Sequence, residues 1–265
     1  MEILKKSSRI AFCIGLAGMV LPQLYYGQFG NNFFPAWPGF PWVSFWAAAF
    51  TVIVVIACVA VILEKQPRRV SLILGGLLLA MYILGDVPYE LIIDPYNNHL
   101  GSWANGLKEL ALAGGSFVVA GSFPPDPRPQ RSFLLRWLEK LVPFGRIFFC
   151  ITITLYGLAH FLYTKYISPS IPGWIPGPVF WTYFAGAALM CAGIAIVFRV
   201  KLKIVAMLLG TMIFIWLIML HIPGAIAQPY ANNANEPVSA FSALAFSATA
   251  FLIASMADKR KLSKT

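Results

Sequence analysis

Charged residues are scarce in this sequence. They make up 11% of the 265 residues, whereas 59% are hydrophobic and the mean hydropathy is +0.74. Soluble domains carry about 25% charged residues. This shortage excludes an ordinary water-soluble protein and predicts an all-α integral membrane protein, whose partner is the lipid bilayer.

Cysteines and cofactor motifs are equally scarce. The four cysteines lie in apolar stretches without a CxxC pair, which predicts small buried side chains rather than redox or metal ligands. The histidines and carboxylates have no HxxxH or ExxH spacing, and no haem, flavin or nucleotide motif occurs. We therefore expect neither a metal nor a covalently attached cofactor. A redox role would require a bound quinone or partner membrane subunits.

Apolar runs fill almost the whole chain. Each is long enough to cross about 30 Å of hydrocarbon at about 1.5 Å per residue. They predict eight transmembrane helices, over residues 9–27, 43–63, 70–92, 104–122, 144–163, 180–199, 204–222 and 238–256.

Basic residues lie on alternate connections between these runs. Of the 20 lysine and arginine residues, 18 lie before the first run, after the last, or on every second connection. Basic loops face the cytoplasm, so both termini are predicted to be cytoplasmic, in a bacterial plasma membrane (the cell inner membrane). The net charge of +10 is then a topology signal, and no nucleic-acid partner is expected. The first run has no cleavage site and is predicted to be a spanning helix rather than a signal peptide.

The two halves of the sequence resemble each other. At an offset of 137 residues Arg9-Ile matches Arg146-Ile, and further pairs are Gln23 with His160, Tyr26 with Tyr163, Pro35 with Pro172 and Trp37 with Trp174. At an offset of 135, Asp86-Val-Pro matches His221-Ile-Pro. This pattern predicts two tandem four-helix bundles, the first over residues 1–122 and the second over residues 144–265.

Residues 123–143 form the predicted linker between the halves. It begins with Pro124, Pro125, Pro127 and Pro129 and continues with an alternation of leucine and charged residues over 132–141. Such a segment is typical of a short amphipathic helix on the cytoplasmic membrane surface.

Ionisable side chains in the membrane are energetically costly and therefore informative about function. Here they are predicted to gather at the extracytoplasmic ends of the helices, as His99, His160, His221, Asp86, Glu90, Asp94, Lys108, Glu109 and Glu236. Asn105 and Glu109 share one face of the fourth run, and Lys108 points about 100° away. Asp86 and His221 occupy equivalent positions, each followed by a helix-breaking proline two residues later.

Two interpretations of these residues remain open. In the functional one, Asp86 or Glu109 acts as a general acid and His160 or His221 as a base, while Lys108, Asn105, Gln23, Trp37 and Trp174 bind the substrate. In the structural one, Lys108 reaches the headgroups, Glu109 pairs with a neighbour, and the tryptophans form an interfacial belt.

Several short motifs resemble the DoxX-like family of four-helix membrane proteins. They are Gly157-Leu-Ala-His160-Phe161, Pro172 to Pro178 followed by Phe180-Trp181, His221-Ile-Pro223, Trp37-Pro38-Gly39, and Lys108 to Gly115. The resemblance spans nearly the whole chain, in two copies.

The resemblance implies a limited set of functions. Some DoxX relatives are subunits of quinone-linked redox complexes, which suggests a quinone- or lipid-binding subunit of a membrane redox system. The fold is also similar to EXPERA-type proteins, which suggests an isomerase- or cyclase-type enzyme acting on a lipid or isoprenoid. The duplication allows a third function, a small-molecule transporter.

Overall fold

The computed structural model describes residues 1–30, 33–125 and 132–257. Within these ranges the ordered elements are helices. The main ones are α1 Glu2–Val20, α2 Val43–Ile62, α3 Pro67–Ile92, α4 Ala104–Ser122, α5 Phe133–Leu141, α6 Gly145–Leu162, α7 Pro178–Val197, α8 Leu202–Ala227 and α9 Asn235–Met256. Part of the predicted linker and of the basic connections lies outside the described ranges. These residues are Pro127, Arg128, Pro129, Arg131, Lys259, Arg260, Lys261 and Lys264.

Seven helices of the described chain are long and apolar enough to cross a membrane. They are α1 with its continuation to Tyr26, α2, α3, α6 with α5 before it, α7, α8 and α9. The protein is therefore an all-helical, multi-pass type of membrane protein. The eighth predicted span corresponds to α4, whose apolar character is interrupted by polar residues in its first two turns.

The first helix begins earlier than the hydropathy predicts. It starts at Glu2 rather than near residue 9, and Lys5 and Ser8 are already buried in it. The Ser8 hydroxyl donates to the Leu4 carbonyl at 2.7 Å, and Lys5 lies 3.7 Å from Glu2. These local contacts stabilise the polar first turns of α1, which a search for apolar runs does not detect.

Helices α3 and α8 share an unusual design. Each has 15 residues of α-helix, a five-residue π turn and a six-residue final segment. Pro88 and Pro223 lie at the second residue of the final segment, where they cannot donate a backbone hydrogen bond. The π turn, at Tyr82–Asp86 and at Leu217–His221, accommodates the missing donor and places Asp86 and His221 at its last position.

Helix α4 is the centre of the molecule, and 15 of its 19 residues are buried. It packs against α3, α6 and α9, while α9 packs against α1, α8 and α4. The two predicted four-helix units are therefore not separate bundles side by side. They share a wall formed by α4 and α9, because α1 packs mainly on α9 and much less on α4.

Small residues make these contacts possible. A Cβ atom on Gly114 of α4 would lie 2.5 Å from the Gly145 carbonyl oxygen of α6, and one on Gly15 of α1 would lie 2.7 Å from the Phe241 carbonyl oxygen of α9. Close backbone approach of this kind drives helix association in lipid, where apolar burial adds little.

The carboxyl end of α4 is held by two arginines. Arg68 makes a two-pronged ion pair with Glu139 of α5, at 2.8 and 2.7 Å, and also donates to the carbonyls of Ala120 and Phe123. Arg9 donates to Ser122 at 2.7 Å. Cations at a helix carboxyl end satisfy its unpaired carbonyls and oppose its dipole.

Helix α5 is amphipathic, as predicted. Its Leu138 is buried against Leu72, Phe117 and Ala120, whereas Phe133, Leu134 and Trp137 are exposed. Part of its apolar face therefore lies on the protein and the rest faces outward.

We predict that Gly114→Ala destabilises the protein by about 1–3 kcal/mol, because the added methyl group overlaps the backbone of α6. Denaturant unfolding followed by circular dichroism in mixed micelles measures the effect. Gly173→Ala is the matched control, since its Cβ would meet nothing within 4 Å. Equal stability of the two variants would show that α4 and α6 do not meet at this glycine.

Candidate functional site

Lys108 and Glu109 are neighbours on α4 but point about 100° apart, toward different neighbouring helices. Lys108 lines a cavity enclosed by helices of the second half, together with His160 and His221. Glu109 is fully buried on the other side, where its carboxyl group interacts with that of Asp86 on α3. The central helix thus separates a basic site from an acidic one.

The basic site is a cavity of about 360 Å³. This volume is within the range of about 300–1,000 Å³ that is typical of small-molecule sites. Its polar lining groups come from α4, α6, α7, α8 and α9 and from the loop before α7, and its walls are otherwise apolar. The polar lining residues include Lys108, Tyr156, His160, His221, Ser239 and Ser242.

His160 is held in a defined orientation. Its Nδ1 lies 2.7 Å from the Tyr156 carbonyl oxygen, which can only accept a hydrogen bond. Nδ1 therefore carries the proton, and in the neutral ring Nε2 is left as an acceptor. Gly186 of α7 makes room for the residue, because a Cβ there would lie 2.8 Å from that of His160.

Two hydroxyl groups fasten α6 to the start of α4. Tyr156 donates to the Ala104 carbonyl at 2.6 Å, and Thr152 donates to the Leu107 carbonyl at 2.6 Å. Both acceptors lie in the turn that ends just before Lys108, so these bonds fix the turn that presents it to the cavity.

His221 and Glu236 complete the electrostatic surroundings of Lys108. The Lys108 ammonium is repelled by a protonated His221 and attracted by the Glu236 carboxylate. Glu236 is half-buried at the start of α9 and packs beside Gly224, whose added Cβ would lie 3.0 Å from a Glu236 carboxyl oxygen. The lining of the cavity itself contains no carboxylate. Because the Tyr156 hydroxyl and His160 Nδ1 already donate to backbone carbonyls, the main donor left for a ligand is the Lys108 ammonium, which suits a ligand with acceptor groups.

The acidic site lies between α3 and α4. Asp86 packs against Gly106, where a Cβ would lie 3.0 Å from that of Asp86. Neither carboxyl oxygen of Glu109 has a hydrogen-bond partner in the described part of the chain. Glu90 is also buried and interacts with Asp86.

The structure does not bring all predicted site residues together. His160, His221 and Lys108 share the cavity, whereas Asp86 and Glu109 belong to the acidic site. The predicted combination of an Asp86 or Glu109 acid with a histidine base is therefore not present in one cavity.

The other predicted binding residues do not line this cavity, and two of them make structural contacts. Gln23 is buried and its Oε1 lies 3.3 Å from the Thr51 hydroxyl. Trp37 donates to the Gly85 carbonyl at 3.3 Å and packs edge-on against Tyr89. Asn105 is half-buried at the start of α4, and Trp174 is 68% exposed, as an interfacial residue would be.

Sequence reasoning missed several lining residues, above all Tyr156, Ser242 and the Trp181–Trp216 pair. Tyr156 lies four residues before His160, on the same helix face, and that spacing could have indicated it. The prediction that all cysteines are buried was wrong for Cys191, which is exposed on α7. An apolar run does not distinguish a side chain that faces lipid from one that faces a neighbouring helix.

A second cavity, of about 970 Å³, lies at the opposite end of the molecule. It is lined by charged residues of the basic connections, and it shares no lining residue with the first cavity. Its charged lining residues are Glu2, Lys5, Arg9, Glu64, Arg146 and Arg199.

In the described residues no three histidine, cysteine or carboxylate side chains come together as a metal site. The chain matches no protein-family model, no curated protein and no solved structure.

We predict that Tyr156→Phe lowers the free energy of unfolding by about 1 kcal/mol, because the buried Ala104 carbonyl loses its donor. Tyr183→Phe is the control, since the Tyr183 ring stacks on Phe161 and its hydroxyl makes no hydrogen bond given by the structure. Thermal unfolding of both variants measures the difference. A Tyr156→Phe variant as stable as the control would contradict the proposed anchoring of α6.

Proposed function

We propose that the chain crosses the membrane eight times, with α4 as the eighth span. Its 19 helical residues correspond to about 28 Å at about 1.5 Å per residue, close to the hydrocarbon thickness. Its polar residues face a cavity or another buried carboxyl group rather than lipid, which removes the usual objection to charge in a span. The end that carries Arg9, Arg68 and Arg146 then faces the cytoplasm of a bacterium, with both termini.

A tandem repeat is supported by more than the sequence matches. The segment lengths of α3 and α8 are identical, and both have the π turn at the same point. Gln23 contacts Thr51 on α2, just as the aligned His160 contacts Gly186 on α7. The two copies are 1–122 and 144–265, joined by the linker 123–143, with α4 and α9 forming a shared wall between them.

The function that the geometry supports best is binding of a quinone or a quinone-like lipid in the basic cavity. The observation that carries this proposal is the convergence of Lys108, His160 and His221, from three helices, on one mainly apolar space. A quinone ring is apolar on its faces and bears carbonyl acceptors at its edge. The Lys108 ammonium within mainly apolar walls can donate to such a carbonyl.

A role in a membrane redox system, together with partner membrane subunits, follows from the resemblance to DoxX-like proteins. The cavity suits such a role because the chain supplies donors that strengthen their hold on a quinone as its oxygens gain negative charge on reduction.

The two other functions have less support. An isomerase or cyclase using a buried carboxylic acid with a histidine base requires both groups at one substrate, and α4 stands between them. A transporter requires a path between the two ends, and the two cavities share no lining residue.

We predict that Lys108→Met weakens binding of a short-chain benzoquinone at least tenfold. A hydrogen bond to a charged group contributes about 1.5–3 kcal/mol, and about 1.4 kcal/mol corresponds to a factor of ten. Isothermal titration calorimetry on the purified protein in lipid nanodiscs measures the affinity. His221→Leu is expected to weaken binding as well, by a smaller factor.

Glu109→Gln is the matched control, because Glu109 directly follows Lys108 in the same turn of α4 but faces the acidic site. Its affinity is expected to equal that of the wild type. Loss of binding in Glu109→Gln but not in Lys108→Met would show that the ligand binds on the acidic side of α4, and would contradict the proposed site. Saturable binding of laurate with no binding of benzoquinone would assign the cavity to anionic lipids instead.

A further inference from the structure

The basic cavity is next to an apolar groove on the lipid-facing side of the second half. The groove lies between α7 and α8 and has a volume of about 690 Å³. Its lining is almost entirely hydrophobic and includes Phe184, Ala188, Cys191 and Leu208. Cys191 and Leu208 are exposed, so the groove opens away from the protein.

Cavity and groove are separated by a pair of tryptophans. Trp181, Trp216 and Met212 line both spaces. The two indole rings meet edge-on, with centroids 6.2 Å apart. Neither indole nitrogen has a hydrogen bond given by the structure. The partition therefore consists of ring contacts alone, which can separate without loss of a hydrogen bond.

The helices on either side of the partition pack less extensively on each other than each does on its other neighbour. Helix α7 packs extensively on α6, through Gly157 and Gly186, but only weakly on α8. In the first half, position 46 aligns with Trp181 and is also tryptophan, but position 81 aligns with Trp216 and is methionine. The tryptophan pair is thus confined to the half that holds the open cavity.

From this continuity we propose that the ligand is a single-tailed amphiphile that enters from the bilayer between α7 and α8. Its acceptor head group occupies the basic cavity, and its tail passes the Trp181–Trp216 partition and lies in the groove. The inference rests on the proposed function, which assigns the head group. A cavity of about 360 Å³ is at the lower end of the range for ligand sites, so a long tail attached to the head group must lie elsewhere.

The groove gives the tail a place to lie outside the cavity, but it adds little to the affinity of the ligand. Transfer of an alkyl chain from lipid to an apolar groove that faces lipid changes its surroundings little. Blocking the groove should therefore harm only ligands that have a tail, and should leave the binding of the head group intact.

The test compares a tail-less benzoquinone with its decyl derivative in nanodiscs. Ala188→Phe places an aromatic ring in the groove and is expected to weaken binding of the decyl compound about tenfold, as overpacking does. Binding of the tail-less compound should be unchanged. Ala60→Phe on α2 is the matched control, because Ala60 is likewise half-buried but lies in the first half.

Native cysteines supply a second readout. Cys191 lies in the groove, whereas Cys13, Cys58 and Cys150 are buried and serve as internal references. The decyl compound should protect Cys191 from N-ethylmaleimide, as measured by mass spectrometry, and the tail-less compound should not.

The outcomes separate the two proposals. If the tail-less compound binds with the predicted dependence on Lys108, but Ala188→Phe affects neither ligand and Cys191 is not protected, the tail does not lie in this groove. If neither compound binds in a Lys108-dependent manner, the proposed function itself is overturned.

Discussion

Close backbone contact around the central helix Ala104–Ser122 is the constraint on which the rest of the structure depends. Gly114 meets Gly145 of the second half, while Gly75 of α3 leaves room for Phe117 of α4. In lipid such contacts replace the hydrophobic effect as the source of helix association. Because α4 is held on both flanks, its two adjacent charged residues are directed to fixed and different places.

The asymmetry of the two halves follows from this arrangement. In the first half the loop after α1 fills the interior, since Phe33 is fully buried and packs on Phe50. The equivalent region of the second half remains open as the cavity that Lys108 lines. Helix α4 therefore borders a filled interior in the first half and an open cavity in the second half.

Much of the architecture could be predicted from the sequence, because hydropathy, proline and basic residues act locally. The helix positions of α2, α6 and α7 agree with the predicted runs to within a few residues, and the amphipathic helix α5 is also present. The start of α1 could not be predicted, since Glu2–Arg9 is polar and its helix is stabilised by contacts of its own turns.

The candidate site was predicted in part. Helical spacing predicted that Lys108 and Glu109 point in different directions. The sequence repeat predicted that Asp86 and His221 occupy matching positions in the two halves. Spacing along one helix cannot reveal which neighbours lie on each side, so the separation of the acidic pair from the histidines was missed. For the same reason the hydrogen bond from Trp37 to the Gly85 carbonyl was not foreseen, and its role in substrate binding stays a prediction.

The polarity of α4 also has a consequence for biogenesis. Lys108 and Glu109 lie in its first two turns, and charged residues make the transfer of a helix into lipid less favourable. The helices that shelter α4 include α6 and α9, which are synthesised later. Full burial of α4 therefore requires the second half of the chain, so the first half alone would be a poor folding unit.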